Sequence, residues 1–227
     1  MRAALAAALA SALVSPAQAM ETRPVVIELF TSQGCSSCPP ADALLTELAQ
    51  GKDVLALAFH VDYWNRLGWT DPYSSAAFTA RQRLYGTQLG EETIYTPELV
   101  IDGARAVVGS DRAAVADGIA SARRGAAMAA AVEVHRVGGE AAITVGAGPG
   151  GAVVLLVGFD RSHLTPVGRG ENSGRMLQET NIVRSLSVVG PWSGAKLALR
   201  VAWPAGEAAA VLLQAADGRI VGAAVGR

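Results

Sequence analysis

The sequence predicts an α/β domain over residues 23–126, followed by a smaller antiparallel β domain, sandwich-like, over residues 130–227. Three observations carry this expectation. Apolar runs typical of buried strands alternate with helical patterns in the first half. From about Ala130 the apolar period falls to two, and glycine-rich turns separate short runs. The two cysteines of the chain, Cys35 and Cys38, stand between the first strand run and the first helical pattern.

Val25 to Phe30 is an almost unbroken apolar run, as in a strand covered on both faces. Leu44, Leu45 and Leu48 recur at helical spacing within Ala41 to Gln50, and Gly51 is a stop signal. Val54 to Val61 reads as a second buried strand. Asp62 to Pro72 is irregular and aromatic. Ser74 to Tyr85 reads as a helix with Ser74 or Ser75 as N-cap. Pro97 opens a strand over Glu98 to Ile101, Asp102-Gly103 marks a hairpin, and Ala106 to Val108 answers it. A last helix spans about Asp111 to Arg124. The order β-α-β-α-β-β-α is the thioredoxin arrangement of elements.

After Ala130, short strands are expected at Val132 to Val137, Ala141 to Val145, Val153 to Val157, Lys196 to Val201, Ala210 to Gln214 and Arg219 to Val225. Gly146 to Gly151 formally matches a dinucleotide-binding glycine pattern. It leads into a strand and contains Pro149, so it reads as a turn.

Composition narrows the function classes. The chain has 227 residues, 51% hydrophobic and 17% charged, as suits a folded protein. Nineteen Lys and Arg stand against 20 Asp and Glu, with no basic run, which argues against a nucleic-acid partner. The N-terminus reads as a signal peptide over residues 1–19. Arg2 is a positive start, Ala3 to Val14 is apolar, and Ala17-Gln18-Ala19 is a small-x-small cleavage pattern. The expected location is therefore periplasmic or secreted, an oxidising setting, with no membrane association after cleavage.

In such a setting a lone Cys-Ser-Ser-Cys pair points to chemistry, because so short a loop gains little as a staple. Cys35 is expected to be the exposed, attacking thiol, and Cys38 the buried, resolving one. Helix N–H groups and the positive end of the helix dipole would favour the Cys35 thiolate. A structural disulfide and half of a metal site are the alternatives; no second cysteine pair supports zinc.

Four stretches together resemble a family of exported bacterial proteins, the domain of unknown function 1223 family of the thioredoxin-like superfamily. They are Glu28 to Asp42, His60 to Pro72, Tyr95-Thr96-Pro97 and Arg169 to Arg175. The resemblance implies a thioredoxin-like fold followed by a β-rich region, and it supplies no reaction. Asn65 departs from it where an acidic residue is expected. By the same likeness, Thr96–Pro97 is expected to be cis and to lie beside the cysteines. Glu28 would take the place of a buried carboxylate that helps deprotonate the resolving thiol, or it would form a buried salt bridge.

Other candidates rest on residue type. Tyr63, Trp64 and Trp69 would wall the site for a peptide or small thiol, or pack in the core. His60 reads as a structural histidine or a base. The polar loop His163 to Arg175 reads as a structural clamp, in which Glu171, Asn172 and Arg175 bind one another, or as a contact to a ligand or the catalytic face. Its part Glu171 to Arg175 is expected to fold back near Asp62 to Trp69 and narrow access to Cys35, with Arg175 offering a planar fork. The expected function is thiol–disulfide exchange with protein or small-molecule partners and no cofactor. The rivals are a binding module with a fixed disulfide, and a copper(I) metallochaperone using both thiolates and His60.

Overall fold

The computed structural model describes residues 23–125 and 130–226. The expected signal peptide, residues 1–19, lies outside the described residues, as do the expected domain ends at 126 and 227. The first half contains β1 (Val25–Thr31), α1 (Pro39–Leu48), β2 (Val54–His60), a 3-10 turn (Asn65–Leu67), α2 (Ala76–Leu89), β3 (Glu98–Ile101), β4 (Arg105–Val108) and α3 (Arg112–Gly125). The element order is the expected one. α2 runs past Tyr85 because nothing stops it before Gly90, which closes it at φ 74°. Ser75 caps its start by accepting from the Ala77 N–H.

β1 and β2 are buried along their whole length, because helices cover both faces. Ile27, Leu29, Ala56 and Ala58 pack with Leu44 and Leu45 of α1 and with Val115 and Ile119 of α3. Val26, Phe30, Leu57 and Phe59 face Phe78 and Tyr85 of α2.

The second half contains β5 (Val132–Val137), β6 (Glu140–Val145), β7 (Ala152–Pro166), β8 (Met176–Trp192), β9 (Leu197–Ala202), β10 (Ala208–Ala215) and β11 (Ile220–Val225). Here the structure corrects the expectation of a separate β domain. The described strands form an 8-stranded sheet in the order β11-β10-β7-β8-β2-β1-β3-β4 and a 3-stranded antiparallel sheet, β5-β6-β9. The joint is a parallel bridge, Ala58 to Ile182. Beside it Asn181, at φ 49°, donates from Nδ2 to the Ala56 carbonyl at 2.8 Å. A sandwich does form, but one of its two sheets is the large one. Val134, Ile143 and Val145 of the small sheet pack on Val154, Leu156, Val211 and Leu213.

The sequence pattern gives no sign of β8 and marks only Val153 to Val157 of β7. Both strands carry exposed polar residues toward the hairpin tip, so their apolar signal fades there. The loop expected at His163 to Arg175 shrinks accordingly, since β7 continues to Pro166. Among the described residues, no helix is long and apolar enough to cross a membrane.

Candidate functional site

Cys35 and Cys38 are joined as a disulfide between β1 and α1. α1 begins at Pro39, with Cys38 as its N-cap and prolines at its first positions. Proline fits there because the first turn needs no N–H. The expectation of helix N–H donors around Cys35 is thereby weakened, since Pro39 and Pro40 supply none. What remains is the helix dipole, the Cys38 N–H on the Cys35 carbonyl at 3.2 Å, and Ser37 Oγ at 3.4 Å from Cys35 Sγ.

Both cysteines have 0% exposure, whereas Ser36 and Ser37 are exposed. The expectation of an exposed Cys35 is therefore corrected. The loop between β7 and β8, residues 167–175, is bonded to the cysteine segment. Asn172, itself fully buried, donates from Nδ2 to the Cys35 carbonyl at 2.8 Å and to the Gln33 carbonyl at 3.0 Å. Glu171 accepts the Ser36 N–H at 3.0 Å. Ser36, through its side chain first and then this N–H, holds the Glu171 carboxyl below the usual carboxylate range. Arg175 makes no side-chain hydrogen bond to the cysteine segment. It donates to Asn172 Oδ1 at 2.8 Å and so orients the amide.

The aromatic segment borders the same loop. Trp69 donates to Gln33 Oε1 at 2.9 Å, and a Cβ placed on Gly168 would come within 3.2 Å of its ring. Trp64 donates to Thr96 Oγ1 at 2.8 Å. A Cβ on Gly34 would approach Trp64 Cβ to 3.1 Å, which explains a glycine just before Cys35. Tyr63 is half-buried beside Trp64, with ring centroids 6.5 Å apart. Thr96–Pro97 is cis. Pro97 is buried, and Gly109 packs between it and Ala41 in the first turn of α1.

Beneath the cysteine segment lies a polar cluster. His60, 1% exposed, bonds Asp71 Oδ2 through Nδ1 at 2.7 Å, and its Nε2 faces Glu179 Oε1 at 3.7 Å. Burial alone would lower the His60 pKa, but Asp71, Glu179 and Asp42 outweigh it and raise it to about 9. Burial pushes the Asp42 carboxyl up to about 7, against the pull of His60 and a Thr31 hydrogen bond. Gln33 ties the cluster to the site. Its N–H reaches Asp71, and its amide reaches both Glu179 oxygens at 2.9 Å. His60 is thus a buried structural cation committed to two carboxylates.

Glu28 is the buried salt bridge. Its oxygens accept from Arg81 Nε and Nη2 at 2.5 and 2.8 Å, and from Tyr85 at 2.6 Å. It faces α2, on the side of the sheet away from α1, so it is not the carboxylate beneath the cysteines. Sequence reasoning assigned no role to Gln33, Asp71 or Glu179. Gln33 and Asp71 lie inside the quoted motifs and were reachable from them. Glu179 lies on β8, which carried no signal.

The chain is a mixed α/β protein whose helix-start disulfide segment is hydrogen-bonded by a loop from its own second half. It belongs to the family described as protein of unknown function (DUF1223), which its sequence matches over residues 26–215. The crystal structure of an Agrobacterium tumefaciens protein, a structural-genomics target, is similar. It has 36% identity and a TM-score of 0.81, with 91% of this chain and 95% of that chain covered. HBP35 of Porphyromonas gingivalis has 14% identity and a TM-score of 0.61, with 90% and 74% covered, a likeness of fold alone. No curated protein matches the sequence.

Proposed function

We propose that this chain is an exported thiol–disulfide exchange protein whose first half is a thioredoxin-like redox unit. The strand order β2-β1-β3-β4, with α1 and α3 on one face and α2 on the other, supports that fold. So does the place of the disulfide, at the β1–α1 junction. Export rests on the charge, apolar run and cleavage pattern of residues 1–19. The partners are protein or small-molecule thiols and disulfides.

The carrying observation is the disulfide itself, closed across a separation of 3 residues at a helix start. It constrains too little chain to serve mainly as a staple. In the exchange, a partner thiolate attacks Cys35 Sγ, and the Cys35–Cys38 bond breaks. Cys38 leaves as a thiolate and takes up a proton. A second partner thiolate then attacks the partner sulfur of the mixed disulfide and releases Cys35. Two partner thiols become one disulfide, and one protein disulfide becomes two thiols. The reverse runs when the partner couple is the more oxidising.

The burial of both cysteines favours a second reading, a binding module with a fixed disulfide. Trapping separates the two. In Cys38→Ala the free Cys35 thiolate should attack disulfide-bonded partner proteins, displace one partner sulfur as a thiolate and accumulate as the mixed disulfide, and Cys35→Ala should accumulate none. Equal trapping by both variants would reject the assignment of Cys35. A wild-type disulfide that does not equilibrate with a glutathione buffer would establish the fixed staple.

A further inference from the structure

We propose that Asn172, held in place by Arg175, is the latch of a gate formed by residues 167–175, and that this gate sets which thiols reach Cys35. The inference rests on the exchange reading and adds its size selectivity. Attack on a disulfide requires the nucleophile to approach the sulfur directly, and the attacked residue has 0% exposure. One surface loop bonds the backbone of Cys35 and of the residues on both sides of it in space.

That loop is built to move as a unit. Its own bonds close it: Val167 N–H to Arg175 O, Gly174 N–H to Val167 O, Ser173 N–H to Gly170 O, and Arg175 N–H to Asn172 O. None of these needs to break when the loop lifts. Its hydrogen bonds to the cysteine segment are the two from Asn172 and the one to Glu171. The strands below stay anchored, because Thr165 and Gln33 both hold Glu179. Segments with few outward bonds open locally at low cost, while the rest stays folded.

Partial lifting exposes Cys35 to a small thiol. A protein thiol needs the loop displaced entirely, together with its contact on Trp69. Arg175 acts through Asn172 and is a positioning residue. Its guanidinium fixes the amide so that Nδ2, not Oδ1, meets the two carbonyls.

The test uses the oxidised full chain and two reductants, glutathione and reduced, unfolded ribonuclease. Losing two hydrogen bonds of ordinary net worth corresponds to a change of about tenfold to thirtyfold. Asn172→Ala and Arg175→Ala should raise the rate with ribonuclease, relative to that with glutathione, by about that factor or somewhat less. Arg175→Lys, which keeps a donor for Asn172 Oδ1, should stay near the wild-type ratio. If Asn172→Ala does not fold, the Arg175 pair carries the test. An unchanged ratio in Asn172→Ala and Arg175→Ala, with all proteins still exchanging, overturns the gate and leaves the exchange reading standing. No exchange with glutathione in any of them overturns the exchange reading, and the gate with it.

Discussion

At the residue scale, His60 shows how a buried charge is made tolerable. An unpaired imidazolium in this interior would be expelled or neutralised. Asp71 and Glu179 hold it charged instead, and its pKa rises to about 9. The unfolded value is about 6.5, so folding binds the proton more tightly than the open chain does. This contribution to stability is complete below about pH 6.5 and is lost as the pH rises through about 9. Its size is on the order of 3 kcal/mol. The expected outcome is a fall in the denaturation midpoint between pH 6.5 and 9.5 that is largely absent in His60→Asn. Equal slopes for the two proteins would remove His60 as the cause.

At the element scale, α2 is the fastener. Its inner face carries Phe78 and Tyr85 but is otherwise polar, and it is held against β1 and β10 where those polar side chains pair. Arg81 bonds Glu28 on β1 and reaches Gln214 on β10 at 3.2 Å, and Gln214 also donates to Tyr85 at 3.1 Å. Removing one member of such a pair strands a buried charge and costs about 3–5 kcal/mol, whereas replacing both by apolar groups costs far less. Arg81→Met should therefore destabilise strongly, and Glu28→Leu combined with it should recover much of the loss. Chemical denaturation of the four proteins of this cycle measures it. Additive losses would mean that the pair is not coupled.

At the scale of the whole molecule, the expected domain boundary is not a mechanical one. β8 joins β2 in a continuous sheet, and one apolar cluster contains Phe30, Phe59, Val157 and Leu212 from both halves. A core shared in this way unfolds as a unit. The two halves should melt in a single transition, with calorimetric and van't Hoff enthalpies that agree. Two separable transitions would restore independent domains. The continuity also serves the site, because it fixes the hairpin that carries the 167–175 loop.

Local chemistry made much of this legible beforehand. Continuous apolar runs at Val25 to Phe30 and Val54 to Val61 demand cover on both faces, so strands flanked by helices follow directly. The cysteine pair, the prolines after it, and Gly90 as a helix stop act within a few residues of chain, and such signals survive without tertiary context. The partners of those residues did not show. Glu28 stays open between a proton carrier and a salt bridge in the sequence, because its local run gives no sign of Arg81, 53 positions away. Asn172 and Cys35, 137 positions apart, meet only because β8 docks on β2. The sequence by itself determined the strands and helices of the first half and the place of its disulfide. Only the tertiary structure decided that the second half extends the same sheet, that both cysteines are buried and that carboxylates surround His60, because pairings across the sheet depend on long-range packing that no local period records.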